Sequence, residues 1–228
     1  MSDASRRFEY HLTLPEGQRC RIAVELDGAS LDCLAPAPED RDWTALACHR
    51  CPHCPLDPAT TPLCPLAARL APLVDVLGSV LSYQTLDAEV ISGGRSIRAN
   101  TSAQAVASSI MGLISATSGC PHTAFLKPLA WFHLPFASEE ETVFRAVSAW
   151  LLKQYFRECD GELGDWTLDG LKKNYEALHV VNVHLAQRLR QASARDATVN
   201  AIVRLDMFAK AVPNEIDEIL GFLRLRLR

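Results

Sequence analysis

Phe8, Tyr10, Leu12 and Leu14 alternate with polar neighbours, and Cys20, Ile22, Val24 and Leu26 do the same. A period of two puts each set on one face of a strand, and Pro15-Glu16-Gly17 between them supplies a turn, so residues 8–26 predict a hairpin with one buried face. Asp27-Gly28 marks a second turn, after which Leu31, Cys33 and Leu34 suit a short third strand. Further on, Ala88, Val90 and Ser92 lead into Gly93-Gly94, followed by Ser96 and Arg98, the pattern of a second hairpin with a primed turn. Between the hairpins, residues 35–65 carry Pro36, Pro38, Pro52, Pro55, Pro58, Pro62 and Pro65. Such a stretch cannot stay regular for long, and it needs an internal staple.

The period then changes. Leu66, Leu70, Leu73, Val74, Leu77 and Leu81 recur at helical spacing, with Pro72 as a kink or as the first turn of a second piece. From residue 100 onward the pattern is helical throughout. Thr101 or Ser102 opens a helix rich in Ala, Ser and Gly that runs to about Thr117 and stops at Gly119, its small side chains allowing a neighbouring backbone to approach closely. Ser138-Glu139-Glu140-Glu141 is a capping box ahead of a stripe formed by Val143, Phe144, Val147, Leu151 and Tyr155, and Gly161 ends that helix. Later helices are expected over 167–191, 196–210 and 214–225, with Pro213 separating the last two. The fold class that follows is α+β: a small N-terminal antiparallel sheet and a Cys/Pro-rich, metal-stapled loop packed on a C-terminal helical layer. One domain over 1–228 is expected, β-rich to residue 100 and helical from 101.

Charge narrows the partners. Lys and Arg number 23 against 27 Asp and Glu, a net charge of −4, which leaves nucleic-acid binding unsupported. The most apolar helical stretch, Val106 to Ala116, is interrupted by Ser108, Ser109 and Gly112 and is too short to cross about 30 Å of hydrocarbon, so no membrane span is expected. The first ten residues show no apolar run behind their arginines, which suggests a cytoplasmic chain with reduced thiols.

Eight cysteines in a reducing compartment point to metal or redox chemistry rather than to disulfides. Cys51, Cys54, Cys64 and Cys120 are each followed by proline, which biases the preceding cysteine toward extended backbone and holds four thiols in similar local geometry. Cys51 and Cys54 form a CxxC pair, the nine residues before Cys64 are enough to double back, and Cys120 would arrive from beyond the small-residue helix. A metal on these four would pin the loop to the helical layer, and structural zinc in short peptides contributes about 10 to 16 kcal/mol. The uneven Cx2Cx2Cx9C spacing, which includes Cys48, and the recurrence of Cys-Pro favour a [4Fe-4S] cluster, with zinc as the alternative. Cys48 and His122 are possible additional ligands. Cys20, Cys33 and Cys159 read as buried structural thiols. His49 and His53 read as exposed loop residues, His133 as a hydrogen-bonded core histidine, and Asp206 with Lys210 as a solvated i,i+4 pair.

Cys54-Pro-Leu with a downstream cysteine is similar to the cluster loop of endonuclease III-type DNA glycosylases over some twenty residues, but no helix-hairpin-helix glycine motif with a catalytic aspartate follows. No glycosylase activity is carried over. The runs CPHCPLDP, SGCPH and FHLPFASEEET together resemble an uncharacterised bacterial family of unknown function across nearly the whole chain. That resemblance implies the quartet Cys51, Cys54, Cys64 and Cys120 and brings no activity. The expected function is therefore a cytosolic metal-binding protein with a redox or metal-sensing role. The alternative is a zinc-stabilised module that binds another protein through its helical face. An enzyme using His122 or Cys48 is the third reading, and no paired carboxylates, nucleophile elbow or nucleotide fingerprint supports it.

Overall fold

The structure is a computed structural model that describes residues 5–34 and 40–226, without the side chains of 211–215, 217, 219, 222, 223 and 226. Pro36, Pro38 and the last residues of the terminal Leu-Arg repeat lie outside the described residues. Strands β1 (Ser5–Thr13) and β2 (Arg19–Asp27) form the first hairpin, and β3 (Thr85–Ser92) and β4 (Arg95–Ser102) the second. They join into one antiparallel sheet in the order β2-β1-β3-β4. The register opposes Tyr10 to Ile22 on one side and to Val90 on the other, so the alternating apolar residues of three strands share a buried face. Gly93 and Gly94 have φ of 55° and 75°, the left-handed pair that a tight primed turn requires. The expected third strand is reduced to a single bridge between Cys33 and Leu26, because the Cys33 amide bonds instead to the Thr117 carbonyl.

Helix α1 (Pro65–Leu77) starts with proline in its first turn, where a missing N–H costs nothing, and also carries Pro72. Helix α2 (Ala103–Thr117) is buried on nearly every side, between the sheet and the later helices. The short α3 (Lys127–Trp131) had no sequence expectation; α4 (Glu139–Cys159), α5 (Asp169–Ala192) and α6 (Ala197–Arg226) complete the chain. The capping box at α4 is reciprocal: Ser138 Oγ accepts from the Glu141 amide, and Glu141 accepts from the Ser138 amide. Helix α6 runs unbroken through position 213, where an interruption was expected. The fold is thus α+β, with a small N-terminal antiparallel sheet and helices concentrated in the second half. No helix among the described residues is long and apolar enough to cross a membrane.

The small residues of α2 serve the close approach that their size permits. Ser108 Oγ bonds to the Ala201 carbonyl of α6, and a Cβ placed on Gly112 would lie 4.0 Å from Leu205 of the same helix. The main core joins the sheet to α1, α2, α5 and α6, while a smaller one forms among α4, α5 and α6.

Candidate metal centre

The loop over 41–64 is held by hydrogen bonds along its length. Arg41 makes a paired contact with Asp75 of α1 at 2.7 and 2.9 Å. Leu46 N donates to the Pro62 carbonyl and Cys64 N to that of Thr44, which returns the second half of the loop beside the first. Cys54 N donates to the Cys51 carbonyl, closing a tight turn that brings the CxxC pair together, and Arg50 holds the carbonyls of Cys54 and Leu56 from outside.

Cys64 is the N-cap of α1, which fixes its position at the start of that helix. Cys120 follows Gly119, whose φ of 88° turns the chain sharply after α2. A Cβ on Gly119 would lie 3.9 Å from Pro65, so the turn before Cys120 abuts the residue after Cys64. Cys51, Cys54, Cys64 and Cys120, drawn from three stretches of chain, line one small pocket together with His122 and Arg188. Cys48 does not line it; its thiol instead faces the Gln191 side-chain oxygen of α5 at 3.4 Å.

The electrostatics of the pocket set these thiols against one another. Burial pushes the Cys51 thiol up to about 12, and Cys64, Cys120 and Cys54 add to the shift, while Arg188 opposes it. Burial also raises Cys120, although the amides of His122 and Thr123 and the Thr123 hydroxyl favour its thiolate. Proline removes the donor directly after Cys120, and the next two residues replace it. A bound cation would invert the repulsion, because each thiolate would then face positive charge. Among the described residues no three His, Cys, Asp or Glu side chains converge closely enough to hold a metal ion. Around one zinc ion, with Zn–S near about 2.3 Å, four sulfurs stand only about 3.8 Å apart. The quartet encloses a shared space without closing on a point.

A family described as a domain of unknown function, DUF6901, matches residues 8–227. The chain belongs to that family. No curated protein and no solved structure matches it. The matched span contains the whole thiol loop, Cys120 and all six helices up to residue 227.

Several side chains depart from expectation. His53 is half-buried: its Nε2 reaches the Ala177 carbonyl of α5 at 3.1 Å, and its ring stacks on that of His122 with centroids 3.9 Å apart. His122 Nε2 lies 2.9 Å from the His53 carbonyl, so it must carry the proton there. Burial and the neighbouring His122 lower the His53 pKa, and its buried Nδ1 has no hydrogen-bond partner among the described residues. Cys33 is buried, Cys20 is half-buried, and Cys159 is exposed at the end of α4 rather than packed. Asp206 is drawn out of solvent, binding His179 of α5 at 2.6 Å as well as Lys210.

Arg188 is the residue that sequence reasoning passed over. It is 2% exposed and donates to the carbonyls of Trp43, Ala45 and Leu46 at 2.9, 2.7 and 3.2 Å. It forms no ion pair with a carboxylate among the described residues. A signal existed: it falls three residues after Leu185 and seven after Val181, placing a charge on the buried stripe of α5.

Proposed function

We propose that this is a cytoplasmic metal-binding protein in which Cys51, Cys54, Cys64 and Cys120 hold a [4Fe-4S] cluster, serving a redox or metal-sensing role. The observation that carries the reading is the buried Arg188 guanidinium beside four thiols. A fully buried cation needs a compensating anion, and the three carbonyls that hold it supply none. Four thiolates around a centre of charge two carry about −2 in all, which meets that need for either a cluster or zinc.

The preference for a cluster over zinc rests on the sequence, whose uneven Cx2Cx2Cx9C spacing and recurring Cys-Pro steps suit iron-sulfur ligation. Protein purified without oxygen should be brown, with iron and acid-labile sulfide near four each per chain and a visible absorption that bleaches reversibly on reduction. Cys120→Ser should lose iron while keeping its far-ultraviolet circular dichroism. A colourless protein with one zinc per chain would replace the cluster with the second reading.

That second reading is a zinc-stabilised module that binds another protein through its helical face. In its favour, α4 exposes Phe144, Leu152, Tyr155 and Phe156, each more than 40% accessible, on one side of the helix layer. Inert zinc and a stoichiometric partner that survives purification would support it.

A further inference from the structure

A second concavity lies apart from the thiol pocket and shares no residue with it. It is a partly open cavity of about 230 Å³ enclosed by α2, α3 with the segment after it, α4, α5 and α6. Its floor is the small-residue face of α2, including Ser109, Gly112 and Ala116, and its walls are largely apolar, with Leu129, Phe136 and Phe208 among them. The charged side chains that line it are Arg145 and Arg204, and no Asp or Glu lines it among the described residues.

The polar groups around it are only partly used. Arg145 is positioned by one nitrogen, which donates to the carbonyls of Leu129 and Phe132 at 2.8 and 2.7 Å. The nearby Glu141 carboxylate is engaged in capping α4. Arg204 lies over the Phe208 ring at 6.0 Å and pairs with no carboxylate among the described residues. Tyr175 is 3% exposed, and its hydroxyl makes no hydrogen bond among the described residues; burial raises its pKa and keeps it neutral, with the nearby Arg145 opposing in part. A hydroxyl without a hydrogen bond among the described residues, the Arg204 guanidinium without a carboxylate, and the Arg145 guanidinium faced only by the capping Glu141 leave the largely apolar cavity complementary to a negative head on an apolar body.

We propose that this cavity binds an amphipathic monocarboxylate, its head held by Arg145, Arg204 and the Tyr175 hydroxyl and its chain laid along the small-residue face of α2. At roughly 30 Å³ per water-sized group the space holds about eight non-hydrogen atoms, the size of hexanoate. The neutral His133, hydrogen-bonded to Tyr10, adds a polar wall without charge.

The experiment is calorimetric titration of the purified full-length protein with hexanoate, 1-hexanol, hexylamine and butanoate. Hexanoate should bind one to one and at least about tenfold more tightly than hexanol, as a charge-assisted contact predicts. Hexylamine should not bind, and each methylene lost between hexanoate and butanoate should cost about fourfold. Arg204→Gln gives up only the contact over the Phe208 ring and Tyr175→Phe keeps the ring that packs on Phe125, and each should weaken hexanoate about tenfold. Equal affinity for hexanoate and hexanol, unchanged hexanoate affinity in both variants, or no binding of hexanoate at 10 mM would each overturn the proposal.

Discussion

Lowering the pH from 7 to 5 should destabilise this protein by about 1.5 to 2 kcal/mol through His133 alone. The ring's Nε2 stands 2.5 Å from the Tyr10 hydroxyl and 3.5 Å from Ser109 Oγ, and the Phe8 ring meets it edge-on at 5.3 Å. Burial first, then the charges of Arg145 and Arg6, lowers its pKa to about 3. In the unfolded chain a histidine titrates near about 6.5. Between those values the unfolded chain holds a proton that the native one refuses, so the contribution is complete above about 6.5 and declines as the pH falls toward 3. At pH 5 nearly every unfolded His133 is protonated, which favours unfolding by about 2 kcal/mol relative to pH 7, and a folded value one unit higher barely changes this. Because the ring also reaches the cavity, water there trims the figure toward the lower end. Urea unfolding of the native protein and of His133→Gln, at pH 7, 6 and 5, isolates the contribution. Glutamine can still hydrogen-bond to Tyr10 but does not titrate, while His53, whose pKa is also lowered, and any acid loss of metal are common to both proteins. The depressed carboxylates, among them Asp75 and Asp196, lose their contributions mainly below pH 5, outside this window. Equal loss of stability in the two proteins would refute the reasoning.

Other perturbations test the scaffold around the thiols. Arg188→Met leaves three carbonyls of the loop without their donor, and urea unfolding should show a loss of about 3 to 5 kcal/mol; a loss under about 1 kcal/mol would mean that the guanidinium is not holding the loop. Gly119→Ala forces a side chain onto a φ of 88° while its Cβ meets Pro65 only at contact distance, so the cost should be about 1 to 2 kcal/mol of backbone strain in thermal unfolding, and no change would show that the turn relaxes freely. Ser138→Ala removes half of a reciprocal cap and should cost about 1 kcal/mol, read as a lower unfolding midpoint with an unchanged slope.

The elements with strong local signals were legible. Alternation at Phe8, Tyr10 and Leu12 and at Ile22, Val24 and Leu26 specified which face of each strand is buried, because a one-residue slip would expose the whole set. The capping box at Ser138 and the glycines at 93 and 94 marked boundaries through backbone chemistry that acts within four residues. Position 213 shows where such signals fail: a proline there predicted a break, and α6 continues through it. Cys33 shows the same from the strand side, since a carbonyl at the end of α2 takes the amide that a third strand would have used.

The chain's own pattern therefore determined its strands and most of its helices, and it singled out four Cys-Pro steps as a set, since each of these depends on neighbours in sequence. Tertiary structure alone decided that Arg188 lies buried against the carbonyls of residues 43, 45 and 46, that Cys48 turns toward Gln191, and that Arg145, Tyr175 and Arg204 surround one cavity. These pairings join residues tens to more than a hundred positions apart. Their energies come from desolvated charge and shared packing, which exist only once the helices have closed over the sheet.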